Sequence, residues 1–231
     1  MENSYFKISM LFLALVTVSC SNDENIAIGS AVSKSQVALR PTVPLQNSKV
    51  KIGTQVWMTR NLNVSRYGNG DLIPQVTDPT QWANLTTGAW CYYSNNTANG
   101  TIYGKLYNWF AVNDPRGLAP VGWHIPTHEE WITLETFLGG ESVAGGKLKA
   151  ITLWASPNYG ATNTSSFTGL PGGLRRNDGT FDAKGYTGIW WSASEFDSSL
   201  GWCFLLDYDA EPSLILYGFK SFAYSVRCVK D

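Results

Sequence analysis

The stretch GWHIPTHEEW, residues 122–131, places both histidines of the chain four residues apart, beside two glutamates. A shared zinc site would need His124 and His128 on one continuous helical turn, and Pro126 between them breaks that turn. The carboxylates have a different job. Thr127, followed three residues later by Glu130, forms a capping box, which makes Thr127 the N-cap and puts His128, Glu129 and Glu130 in the first turn. The glutamates there sit at the positive end of the helix dipole. Trp131, Leu134 and Leu138 then repeat along one face, and Gly139 supplies the C′ stop. The segment is therefore a short amphipathic helix rather than a metal site. His124, between Trp123 and Ile125, reads as a core or shelf residue with one satisfied nitrogen.

The rest of the chain is cut into similarly short pieces. With 22 glycines, 10 tryptophans and 11 tyrosines it points to a turn-rich α+β fold with much irregular structure. From Lys49 onward, Val50 and Ile52 and then Val56 and Met58 suggest a hairpin around Gly53. AWCYYSNN reads as a strand ending in turn residues, and YGKLYNWFAVND as a helix stopped by Asn113, Asp114 and Pro115. GGKLKA looks like a short helical piece, and GLPGGLRRNDGTF a strand and loop turned at Asn177-Asp178-Gly179. GIWWSASE, GWCFLLDYD and SLILYGF are apolar runs of strand length. YSVRCVKD predicts one more alternating strand, with Val226 and Cys228 on one face and Arg227 and Val229 on the other. No solenoid repeat is present. A length of 231 residues with 44% hydrophobic content suits one well-cored domain plus appendages. A net charge of −1, with charged residues at 15%, leaves no broad basic face, so nucleic acid is not an expected partner.

The first residues, MENSYFKISMLFLALVTVSC, set Lys7 ahead of an apolar run from Ile8 to Val18 that is short for a membrane span. LVTVSC resembles a bacterial lipobox, which predicts a signal peptide over residues 1–19 and lipid attachment at Cys20. The lipid would make the membrane a partner without a transmembrane helix. Asp23 and Glu24 resemble the short acidic tract that sends lipoproteins of Bacteroidetes to the outer face of the outer membrane. A periplasm-facing lipoprotein is the alternative. Residues 20–48 then read as lipidated N-terminus and flexible tether, with an end-to-end reach of roughly 30 Å. Residues 49–231 form the domain.

Taken together, GTQVWMTRNLNV, AWCYYSNN, YGKLYNWFAV, APVGWHIPTHEEW, GGKLK, LPGGLRRNDGTF, GIWWSASE and SVRCVKD resemble the Fibrobacter succinogenes major paralogous domain of secreted and lipid-anchored Bacteroidetes proteins. GWHIPTHEEW and SVRCV are also similar to formylglycine-generating-enzyme and C-type-lectin-like folds. That resemblance implies a C-type-lectin-like architecture, two helices packed on a small, highly looped antiparallel sheet. Relatives carry a cysteine where this chain has Ala119, so a staple from that site to Cys228 is missing here. Of Cys91, Cys203 and Cys228, the pair Cys203 and Cys228, both on late strands, is the remaining disulfide candidate.

Chemistry is sparse. Formylglycine-generating enzymes use a close cysteine pair, and Cys203 stands alone in GWCFLLDYD. No nucleophile elbow and no phosphate-cradling glycine loop is present. The chain is accordingly expected not to be an enzyme and to need no cofactor. DYDAEP alternates Asp207, Asp209 and Glu211, which on an extended segment would put three carboxylates on one side, as a calcium loop or as a solvated turn. Trp190, Trp191 and Trp202 could stack on sugar rings or fill the core. The resulting expectation is a surface lipoprotein whose loops at 171–188, with Arg176, Asn177, Asp178 and Asp182, and at 207–213 recognise glycan or surface-protein ligands. An assembly subunit of a surface complex, or a cryptic enzyme, are the alternatives.

Overall fold

A computed structural model describes residues 48–231; Cys20 and the expected signal peptide lie outside the described residues. The alternation at Val50, Ile52, Val56 and Met58 folds as β1 (Lys49–Ile52) and β2 (Gln55–Met58), paired antiparallel about Gly53, whose φ of 61° a side chain would resist. β12 (Val229–Lys230) joins β2 and β5 (Trp123–His124) to complete a four-stranded sheet. A five-stranded sheet runs β3 (Trp90–Cys91), β4 (Leu106–Asn108), β11 (Ala223–Tyr224), β6 (Leu174–Arg175), β7 (Phe181–Asp182). The third sheet holds the long strands in the order β10 (Ser213–Phe219), β9 (Leu200–Asp207), β8 (Thr187–Glu195). All strand pairs are antiparallel. With α1 (Pro79–Ala83), α2 (Thr97–Tyr103), α3 (Trp109–Val112), α4 (His128–Phe137) and α5 (Glu141–Leu148), the class is α+β.

α4 follows the sequence expectation closely. Thr127 accepts from the Glu130 amide, the Glu130 carboxylate takes the Thr127 amide at 2.8 Å, and Trp131 and Leu134 are buried. It ends in a Schellman motif, with Gly139 bonding to the Thr136 carbonyl, Gly140 to that of Glu135, and both glycines at positive φ. α5 follows, with the GGKL run inside it. Two expectations need correction. YGKLYNWFAV is not one helix: Leu106–Asn108 form β4, and the Asn108 side chain then caps the single turn of α3 through the Ala111 amide. Strand pairing to β3 and β11 outweighs helix propensity there. YSVRCVKD is also not one strand, because Ser225 makes only an isolated parallel bridge to Trp190 and residues 226–228 run between β11 and β12 outside any strand.

What that segment does instead organises the interior. Val226 and Cys228 enter one apolar cluster with Met58, Trp109 and Trp191. Val229 enters a second with Trp57, Trp131, Trp190 and Phe204, and the Arg227 guanidinium lies 4.3 Å from the Phe167 ring of the same cluster. β8 splits the same way, its adjacent Trp190 and Trp191 facing opposite clusters, as a strand period of two requires. Both faces of this layer are buried, so GIWW reads as a continuous apolar run rather than an alternating one. In the second cluster Trp131 stacks on Phe204 at 4.5 Å and meets Trp57 at 4.7 Å.

Candidate functional site

The expected recognition hairpin is present but internally satisfied. Arg176 and Asp182 pair with each other across β6 and β7. The Asp178 carboxylate accepts the amide and hydroxyl of Thr180 at 2.9 and 2.6 Å, and Asn177 sits exposed at the turn. Beneath them, fully buried Arg175 donates to the carbonyls of Val76, Thr77 and Gly179 and lies 4.4 Å from the Trp82 ring.

Asp207, Asp209 and Glu211 do not form an extended row. Asp207 ends β9 and the chain turns at once toward β10. Glu211 points elsewhere: a Cβ built on Gly160 would lie 2.8 Å from its Cγ. Among the described residues no three His, Cys, Asp or Glu side chains are placed to hold a metal ion. The cation at this turn is Lys149, whose ammonium donates to the carbonyls of Tyr159, Asp207 and Ala210 at 2.6–2.8 Å. Burial raises the Asp207 pKa, reinforced by its hydrogen bond to the Asp209 carboxyl.

Cys203 and Cys228 are separate free thiols, as is Cys91, and burial pushes each thiol up to about 12. His124 uses both ring nitrogens rather than the single one expected, at 2.8 Å from Asp231 and 2.7 Å from Glu130. Burial disfavours its charge, but the two carboxylates together outweigh that and raise its pKa above 6.5. Glu130 is thus shared between helix cap and histidine. Of the three tryptophans singled out, Trp190 and Trp191 are core. Trp202 is half-buried, 4.1 Å from the His128 ring and edge-on to Phe196 at 4.9 Å, while Phe196 stacks on Tyr217 at 4.3 Å. This patch covers one end of the β9–β10 ladder, whose outer strand exposes Leu214, Leu216, Tyr217 and Phe219.

A concave site lies where sequence reasoning placed none. The segment that leaves β2 turns back over α2 and encloses about 770 Å³, lined chiefly by Met58, Thr59, Arg60, Asn63, Ile102 and Leu170. Asn61 forms its fixed floor. Its amide nitrogen donates to the Tyr103 carbonyl at 2.8 Å and its oxygen accepts from Trp190 and twice from Arg227 at 2.8–3.1 Å. Arg227 also holds the carbonyls of Met58 and Phe167 at 3.0 and 2.6 Å. Among the described residues no carboxylate touches this guanidinium, and burial lowers its pKa to about 9. On the other side Lys105 donates to the backbone and side-chain oxygens of Asn63, both at 3.0 Å, and sits 4.2 Å from the Trp90 ring. Burial lowers Lys105 to about 8.

Among the described residues the lining contains no carboxylate, imidazole or thiol. Its one charged side chain is Arg60, exposed and outside every ion pair of the described residues. The signal for this site was present in the sequence as TRNLN at residues 59–63, polar residues interrupting an apolar run directly after a strand. Nothing local, however, reveals that α2 and Leu170 close over it.

A family model described as the Fibrobacter succinogenes major domain matches residues 50–230. No curated protein and no solved structure matches the chain.

Proposed function

The chain belongs to the Fibrobacter succinogenes major domain family, and from that premise we propose that residues 49–231 are a non-catalytic recognition domain carried by a surface lipoprotein. The observation that carries the reading is the pocket of about 770 Å³. Its size is that of a small-molecule or saccharide site, and its floor is held by a saturated hydrogen-bond network. Binding is favoured over catalysis because general acid–base chemistry, or activation of a hydroxyl nucleophile, needs a base within reach of the ligand, and the described lining offers hydroxyls and a guanidinium but no carboxylate or imidazole. The face around Arg60 is preferred here to the loops at 171–188 and 207–213, where Arg176 and Asp182 pair with each other and Asp178 is bonded to Thr180.

The finer architectural reading, a C-type-lectin-like plan, is supported by α4 and α5 lying together beside β8, β9 and β10, with much of the chain in loops. Lipid attachment at Cys20 and display on the outer membrane, facing the cell exterior, complete the proposal. It rests on the lipobox-like LVTVSC and on Asp23 and Glu24. The test is a glycan and glycoprotein array probed with the full chain and with Thr101→Trp, which fills the pocket from an exposed position of α2. A saturable hit lost in the variant supports the reading; hits identical in both proteins refute it.

A second reading, an assembly subunit, is favoured by the apolar edge of β10 with Leu214, Leu216, Tyr217 and Phe219 exposed. Light scattering of the purified chain would register it as a stable oligomer that Leu216→Lys dissolves.

A further inference from the structure

We propose that the pocket beside Arg60 takes an anionic saccharide, a sugar ring carrying a carboxylate. This deepens, and rests on, the reading of that pocket as the recognition site. Three cations surround the cavity, and among the described residues no carboxylate lines it. Arg60 stands exposed at its edge, Arg227 lies behind Met58 and Asn61, and Lys105 lies behind Asn63. The two inner cations are neutralised only by carbonyl and amide oxygens and aromatic faces, at distances of 2.6–3.1 Å for the oxygens. A charge held in a low-dielectric interior without a counter-ion is weakly screened, so its field extends into the adjoining cavity. An anion placed there gains from all three charges.

The outer cation defines the anion's position. The Arg60 guanidinium is a planar fork with no partner among the described residues, suited to a two-oxygen group such as a carboxylate. The inner cations do not take that role, because Arg227 is committed to Asn61, Met58 and Phe167, and Lys105, a point charge rather than a fork, is bound to both oxygens of Asn63 and lies behind it. The remaining lining sets the rest of the ligand. Met58, Ile102 and Leu170 offer an apolar surface, Thr101 offers an uncommitted hydroxyl, and Ser48 and Thr59, bonded to each other at 2.6 Å, and Thr168, which accepts from Asn163, add polar oxygens to the rim. A pyranose has this same division between an apolar ring face and a hydroxyl rim.

The experiment is calorimetric titration of the full chain with three probes: a dimer of galacturonic acid, the neutral galactose dimer of the same linkage, and acetate. The expected result is that the acidic dimer binds at least about tenfold more tightly than either control. Arg60→Gln should remove that preference while leaving the unfolding midpoint unchanged, since Arg60 is exposed, and Arg60→Lys should keep part of it. If both dimers bind equally and Arg60→Gln changes neither, the charge inference falls while the pocket reading stands. If acetate binds as well as the acidic dimer, the saccharide half falls. If neither dimer binds the protein, or binding survives Thr101→Trp, the pocket reading falls with it.

Discussion

Removing the Asn61 side chain should cost this protein more than removing any other single neutral polar group described above. In Asn61→Ala, two N–H groups of the buried Arg227 guanidinium lose the acceptor they hold at 3.1 and 2.8 Å, and Trp190 Nε1 loses its acceptor at 2.8 Å. The Tyr103 carbonyl and Ser225 hydroxyl lose a donor at 2.8 and 3.2 Å. Each charge-assisted bond contributes about 1.5–3 kcal/mol and each neutral one about 1 kcal/mol. Even if water entering from the adjacent pocket recovers half, the loss is about 3 kcal/mol. For a domain of this size that lowers Tm by roughly 6–12 °C. The internal control is Ser225→Ala, which deletes one neutral bond of the same network, the one from Asn61 Nδ2 at 3.2 Å, for a loss of about 1 kcal/mol. Urea unfolding followed by circular dichroism measures both without relying on tryptophan emission. An Asn61→Ala loss below about 1 kcal/mol, or one no larger than that of Ser225→Ala, would show that Arg227 is solvated by other means. The account of the buried network would then be wrong.

Three further outcomes follow from the same structure. His124 has a folded-state pKa raised above 6.5, so the folded protein holds its proton more tightly than the unfolded chain. Its contribution to stability is therefore complete below pH 6.5 and is lost as pH rises through the folded value. Denaturation midpoints across pH 5–9 should show this decline, and Glu130→Gln with Asp231→Asn should flatten it; an unchanged slope would contradict the clasp. Gly145→Ala should destabilise by about 1–3 kcal/mol, because its Cβ would fall 2.3 Å from the Glu211 carbonyl oxygen and α5 would have to move off the turn before β10. A thermal melt matching the parent protein would refute that close approach. Trp131→Ala should cost about 3–5 kcal/mol while Trp202→Ala, half-exposed, costs far less in chemical denaturation. Equal losses would mean the two tryptophans are not divided between core and surface patch.

Where local chemistry decides the conformation, the sequence was enough. The hairpin at Gly53, the capping box at Thr127, the glycine stop at Gly139 and the turn at Asn177-Asp178-Gly179 each depend on residues a few positions apart, and each forms as read. Family membership was legible for the same reason, because it rests on blocks of adjacent residues in one order. The misreadings share a different cause. YGKLYNWFAV carries helix-like spacing, yet Leu106–Asn108 at its centre are claimed by β3 and by β11, whose Tyr224 lies more than about a hundred residues beyond its partner Tyr107. DYDAEP alternates correctly, yet a hairpin turn and the ammonium of Lys149, 58 residues away from Asp207, determine where its carbonyls point.

The sequence by itself determined short-range structure, the α+β class and the placing of His124 ahead of, and His128 within, the helix that Thr127 caps. Only the tertiary structure decided that residues 226–229 separate two cores, and that Arg227, Lys105 and Arg175 are buried against carbonyls and aromatic rings. It alone decided that Asn61, Ile102 and Leu170 meet around one cavity. The physical reason is that a buried charge is stabilised by oxygens and rings assembled from distant segments, as the 166 positions separating Asn61 from Arg227 illustrate. No periodicity in the chain encodes such an assembly. Turns and caps are settled by neighbours along the chain, whereas the environment of a buried ion is settled by whatever the fold brings to it.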